Sequence, residues 1–190
     1  MGSYRSSKNV ITGDLVVKSK TPFATGAGIT AATTPTVVVS KKNYEYITTI
    51  LVDLTGLECS GDANDVIGDN GAANSYLTKL TTAVNGYATL CSMHCVEVPA
   101  GTNVTTHVDV RMSTAALAED AGVGANDVQI IDSDGAWELG GMVDSETIPT
   151  GADAVGTRDY YVYLTTGDSA QSGGTYTAGK FVIQLYGYNF

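Results

Sequence analysis

Two histidines, three cysteines and one tryptophan are all that 190 residues supply of several side chains often used as bases, metal ligands and stacking platforms. That scarcity leaves few combinations of nucleophile, base and metal, so the chain is expected to be no enzyme and to use no cofactor. There is no G-x-S-x-G elbow to seat a catalytic serine, no phosphate-binding loop and no dinucleotide fingerprint. No run approaches the roughly 18 apolar residues that span a bilayer, and the opening Met1-Gly2-Ser3-Tyr4-Arg5 lacks the apolar stretch of a secretory signal. The expectation is a chain made and kept soluble in a cytoplasm, with no membrane partner. Cys59, Cys91 and Cys95 are odd in number and lack the spacing of a disulfide framework, so they read as small buried hydrophobes in a reducing compartment.

Positive charge is also scarce, 10 Lys and Arg against 20 Asp and Glu, a net charge of −10. Such a chain repels a phosphate backbone, which argues against nucleic acid as a partner. Hydrophobic residues at 43% against charged residues at 16% favour a folded body over a disordered acidic tail. A single domain of this length buries roughly 70% of the surface that its unfolded chain exposes, enough for a real core.

The charge is uneven. Residues 1–43 hold Arg5, Lys8, Lys18, Lys20, Lys41 and Lys42 against the single acid Asp14, a net +5; the remainder holds four basic and nineteen acidic residues, a net −15. The leader is rich in Thr, Gly, Ala and Ser and has only two short apolar runs, Leu15-Val16-Val17 and Val37-Val38-Val39, too little for a core of its own. The expected organisation is therefore a basic extended N-terminal arm, 1–43, joined to an acidic body, 44–190. Fully extended, 43 residues reach about 140 Å, so the arm can edge the body's sheet or cross to a neighbour.

Period-two alternation marks the body as β-structure. From Tyr44 to Leu54 one face carries Tyr44, Tyr46, Thr48, Ile50, Val52 and Leu54; from Val104 to Met112 the apolar face is Val104, Val108, Val110 and Met112, with His107, Asp109 and Arg111 opposite. Further strands are expected at Tyr87 to Val98, Val128 to Ile131, Ala136 to Leu139, Tyr160 to Thr166 and Phe181 to Tyr188, with Asp132-Ser133-Asp134-Gly135 as a hairpin loop. Two short helices are expected, one capped by Asn74 over Ser75 to Val84 and ended by Gly86, one capped by Ser113 over Thr114 to Ala121. The predicted fold is mainly β, an antiparallel sandwich.

Two metal hypotheses arise, and the spacing of the ligands favours neither. Cys91, His94, Cys95 and Cys59 offer four zinc ligands, but on a strand Cys91 and Cys95 face one way and His94 the other, and there is no C-x-x-C pair. The loops around Asp62-Asn64-Asp65, Asp69-Asn70-Gly71 and Asp132 to Gly135 are rich in oxygen ligands for calcium, yet none fits the twelve-residue EF-hand spacing, and turn chemistry explains Asp, Asn and Gly equally well. His107, on the polar face of its strand, reads as a surface residue. The expected site residues are those of the arm: Arg5, Lys8, Lys18, Lys20, Lys41 and Lys42 against an acidic partner surface, with Tyr4 and Phe23 as apolar anchors.

Four segments together resemble structural proteins from tailed phages of marine bacteria, including cyanophages. They are Thr48 to Leu57 (TTILVDLTGL), Asp65 to Gly68 (DVIG), Val96 to Gly101 (VEVPAG) and, the most specific, Gly174 to Gly187 (GTYTAGKFVIQLYG). The resemblance runs over residues 44–190 and leaves the basic leader unmatched. It implies a virion component with a β-sandwich or jelly-roll fold, made in the host cytoplasm, that decorates the capsid exterior and cements capsid subunits, with no catalytic residues to carry over. The implied partners are the major capsid protein and neighbouring copies of the chain, in a homo-oligomer such as a trimer. The alternative is a host-recognition module on a tail fibre or spike, whose loops at 62–74 or 167–174 would contact surface glycans.

Overall fold

The computed structural model describes residues 23–29, 35–122, 124, 127–145, 148, 159–168 and 173–189. Among the described residues ten strands run in chain order: β1 (Thr36–Lys42), β2 (Glu45–Asp53), β3 (Glu58–Cys59), β4 (Thr78–Leu80), β5 (Tyr87–Gly101), β6 (Val108–Ser113), β7 (Val128–Ile131), β8 (Met142–Asp144), β9 (Tyr160–Thr166) and β10 (Gly174–Tyr188). They form two antiparallel sheets. The larger has the order β1-β2-β10-β5-β8, with β3 also paired to β10; the smaller has the order β4-β9-β6-β7.

Set β1 and β3 aside and the pairing follows one rule. Of the remaining eight strands the first pairs with the last (β2 with β10), the second with the seventh (β4 with β9), the third with the sixth (β5 with β8) and the fourth with the fifth (β6 with β7). That is a long antiparallel ribbon rolled into two sheets, the jelly roll. The expected sandwich is present in this form.

Its core follows from alternation. Ile50, Val52, Cys91, Met93, Cys95, Phe181, Ile183 and Leu185 point inward from the larger sheet and meet Leu80, Val108, Val110, Met112, Val162 and Leu164 of the smaller one. Strand β2 places Tyr46, Thr48, Ile50 and Val52 inward as the pattern predicts, while Tyr44 falls in the β1–β2 turn and is 72% exposed. Asn43 opens that turn at φ 56°, in the left-handed region that asparagine tolerates.

Several local expectations are corrected. Residues 75–84 are not one helix: Leu77 and Leu80 are buried because Thr78–Leu80 pairs with β9, and only the single turn α1 (Thr82–Asn85) is helical, closed by Gly86 at φ 69°. Residues 114–121 form turns; the Ser113 hydroxyl accepts a bond from the Ala115 N–H, and the Tyr163 hydroxyl accepts from Leu117 N–H while donating to Ala115 C=O. Ala136 to Leu139 is no strand, because Trp137 turns inward, its backbone N–H bonded to Thr106 C=O and its indole N–H to Val108 C=O. The loop Asp132 to Gly135 therefore closes no hairpin: the next strand, β8, pairs with β5 on the other sheet.

Part of the basic leader belongs to the body. Thr36–Lys42 is the edge strand of the larger sheet, its Val39 buried, so the boundary expected at 43/44 runs through the turn of the β1–β2 hairpin. Gly26 and Gly28 donate backbone bonds to Tyr76 and Asn74, and Ile29 is fully buried. An isolated edge run of valines cannot stay in water while a sheet edge beside it lacks hydrogen bonds.

Candidate functional site

The two sheets differ on their outer faces. The smaller sheet's outer face is met by the chain's own 113–117 turn, which caps Tyr163, whose phenol burial pushes up to about 12, while residues 65–67 extend the sheet's edge, Ile67 N–H bonding Leu164 C=O and Thr166 N–H bonding Asp65 C=O. The outer face of the larger sheet has no such cover among the described residues.

Strand register lays that face out in rows. Thr36, Leu51, Val182, His94 and Met142 form one; Val38, Thr49, Gln184, Ser92 and Asp144 the next; Ser40, Ile47, Tyr186 and Leu90 the third. Leu51 is 45% and Met142 56% exposed. Asp144 is the one carboxylate in those rows, on a chain whose net charge is −10. Charges sit at the ends of the face instead. At one end Lys180 of β10 lies 2.5 Å from Glu97 Oε2 and 3.4 Å from Asp53 Oδ2; at the other is Lys42, while Lys41, opposite the inward Tyr46, lies on the other side of the edge strand.

Of the residues expected to dock, Tyr4, Arg5, Lys8, Lys18 and Lys20 lie outside the described residues. Phe23 is half-buried, and Lys41 and Lys42 are exposed at the end of the edge strand. Lys41 Nζ sits 4.7 Å from the Tyr46 ring centroid, and this cation holds the Tyr46 phenol below its ordinary range despite burial. Sequence reasoning counted the lysines but missed the apolar rows beside them, whose members come from five strands.

A second grouping lies at the start of β6. His107 is no free surface residue: its side chain is 15% exposed, with Nε2 at 3.3 Å from Asp109 Oδ1 and 4.0 Å from Asp132 Oδ1. Asp109 is fully buried and accepts bonds from Ser133 N–H (3.0 Å), Ser133 Oγ (3.1 Å) and Gln129 Nε2 (3.1 Å). Burial raises its carboxyl above the usual range, against the pull of Ser133 and His107. Arg111, two residues further on, is occupied by Asn64 Oδ1, by Gln129 Oε1 at 2.6 Å and by Asp168 Oδ1 at 3.6 Å.

The cysteines behave as a strand dictates. Cys91 and Cys95 face the core and His94 the outer sheet face; all three cysteines are buried free thiols, and burial pushes those of Cys91 and Cys95 upward. Around Asp62 to Gly71 the acids line a cleft with Glu119 and Asp120, where protein donors meet them: Ser60 Oγ bonds Asp65, Asn70 bonds Glu58 and Gly71 N–H bonds Glu119. Among the described residues no helix is long and apolar enough to cross a membrane. Comparison with family models, curated proteins and solved structures finds no match to this chain.

Proposed function

We propose that the protein is a non-enzymatic structural component of a tailed-phage virion, a jelly roll that decorates the outer capsid and cements capsid subunits. The observation that carries this reading is the charge-poor outer face of the larger sheet on an otherwise acidic body. A face of Leu51, Val182, Met142, Ile47, Tyr186 and Leu90 gains by leaving water against another protein. Lys42 at its hairpin end, with the lysines of residues 1–22, steers approach to an acidic surface. The major capsid protein and neighbouring copies of the chain are the partners, and repetition over a symmetric shell multiplies weak contacts. Jelly rolls build viral shells and lectins alike, so the fold supports the class without deciding it.

The test adds purified protein to capsids that lack it and images the particles. Wild-type protein is expected at regular positions on the shell, with Leu51→Glu reducing occupancy at least about tenfold at unchanged melting temperature, since a charge buried in an interface is costly. Labelling confined to tail fibres, or full occupancy by the variant, overturns the reading.

A further inference from the structure

We infer that His107, Asp109 and Asp132 form a binding site for a divalent transition cation such as zinc. This stands apart from the virion reading, because it rests on a different part of the molecule.

The strand pairing assembles the set. His107 and Asp109 are two residues apart and so share one side of the chain as it enters β6. Strand β7 runs antiparallel beside it with Ile131 opposite Val110, which brings the following residue, Asp132, alongside Asp109. Among the described residues the one group of three or more potential ligands gathered around a common point is this one, its ligand atoms all within 4.8 Å of one another.

The distances suit a shared cation. With metal–ligand bonds of about 2.1 Å, two ligand atoms on one ion lie about 3.0 to 4.2 Å apart. The 3.3 Å and 4.0 Å separations from His107 Nε2 fall in that interval, and the ligand atoms of Asp109 and Asp132 lie within 4.8 Å of each other.

His107 Nε2 supplies the independent sign. It is buried out of reach of water and has no hydrogen-bond partner, although a carboxylate oxygen lies 3.3 Å away. At 3.3 Å the Asp109 oxygen is close enough for charge attraction, yet no hydrogen bond joins the two groups. A cation between them would satisfy both groups at this separation.

The supporting contacts hold the ligands in place. Thr105 fixes the backbone of His107, its Oγ1 accepting from the His107 N–H at 3.0 Å and donating to the C=O at 3.2 Å. Gly167 backs the ring so closely that a Cβ there would lie 2.1 Å from His107 Cγ. Ser133 and Gln129 orient the Asp109 carboxylate, and Asp134 N–H donates to Asp132 Oδ1 at 3.1 Å. Such partners preorganise a metal site. Asp132 also lines a cleft of about 460 Å³ with Asp134, Asp144 and Gln129, which admits water to complete the coordination and concentrates cations by its charge. Two carboxylates balance a divalent charge, and the imidazole favours zinc, or iron, nickel and copper, over calcium.

The test titrates chelator-treated full-length protein with zinc chloride by calorimetry and follows the melting temperature. One zinc per chain and a melting temperature that rises with zinc are expected. Asp132→Asn, at an exposed position, is expected to keep the fold and weaken binding at least tenfold, and His107→Gln to abolish it. Absence of zinc-dependent heat and stabilisation, or binding undiminished in Asp132→Asn, overturns the site.

Discussion

Trp137 and Phe181 meet edge to face, ring centroids 5.2 Å apart, and through this contact the two sheets are joined by a residue that belongs to neither. Phe181 comes from β10 of the larger sheet; the Trp137 indole N–H donates at 2.7 Å to Val108 C=O on β6 of the smaller one. The sole tryptophan is thus a packing and hydrogen-bonding bridge across the core.

Trp137→Ala is expected to destabilise the fold by about 3 to 5 kcal/mol, the usual range for removing a large aromatic from a core. Trp137→Phe is expected to retain much of the packing but strand the Val108 carbonyl, at a cost of about 1 to 3 kcal/mol. Denaturant unfolding followed by circular dichroism measures both; a loss below 1 kcal/mol for Trp137→Ala would show that the bridge is not structural.

Stability is expected to rise on mild acidification. Asp65 and Glu119 are held above the ordinary carboxylate range, first by burial and then by each other's neighbours: Asp120 and Asp62 face Asp65, while Asp120, Glu58 and Asp65 face Glu119. Ser60 and the Gly71 N–H oppose the shifts without reversing them. The native state therefore binds protons more readily than the unfolded chain, whose carboxyls titrate near pH 4, and these groups' contribution is complete below that value and lost as pH rises through their native pKa values. Asp53 and Glu97 shift downward, so they act only at lower pH, with the opposite sign. Melting temperature should climb as pH is lowered from neutrality toward 4 in dilute buffer, less steeply in Asp65→Asn. A steady fall over that interval contradicts the assignment.

The three thiols are expected to resist a disulfide-exchange reagent in the native protein and to react together on unfolding. All are buried, and burial keeps Cys91 and Cys95 in the unreactive protonated form. A colorimetric thiol count in native buffer and in denaturant decides it; rapid reaction of even one native thiol would show an open path to the core.

Some elements were legible from their residues. Strands β7 and β9 have the bounds that alternation and β-branched content predict, and β2 shows the inward set from Tyr46 to Val52. Strand β10 begins seven residues before Phe181, because Gly174 to Lys180 alternates too weakly to be read, and Gly179, at φ 131°, interrupts the pairing. The helix expected over Ser75 to Val84 had the right apolar spacing, but pairing of Thr78–Leu80 with β9 overrode it. The shared side of His107 and Asp109 was visible; Asp132 was visible only as part of an oxygen-rich loop, since the β6–β7 pairing alone brings it beside them.

What the sequence alone determined is the β-character, the placement of positive charge at the start of the chain and the inward residues of the regular strands, since these depend on neighbours one or two positions away. Only the tertiary structure decided that the valines of the leader edge the larger sheet, that a turn covers one outer face while the other has no such cover among the described residues, and that a histidine and two aspartates converge. Each of those results depends on which strand lies beside which. Hydrogen bonding between distant segments sets that choice, and a side-chain pattern with a period of two fits any of several partners until the whole ribbon has rolled up.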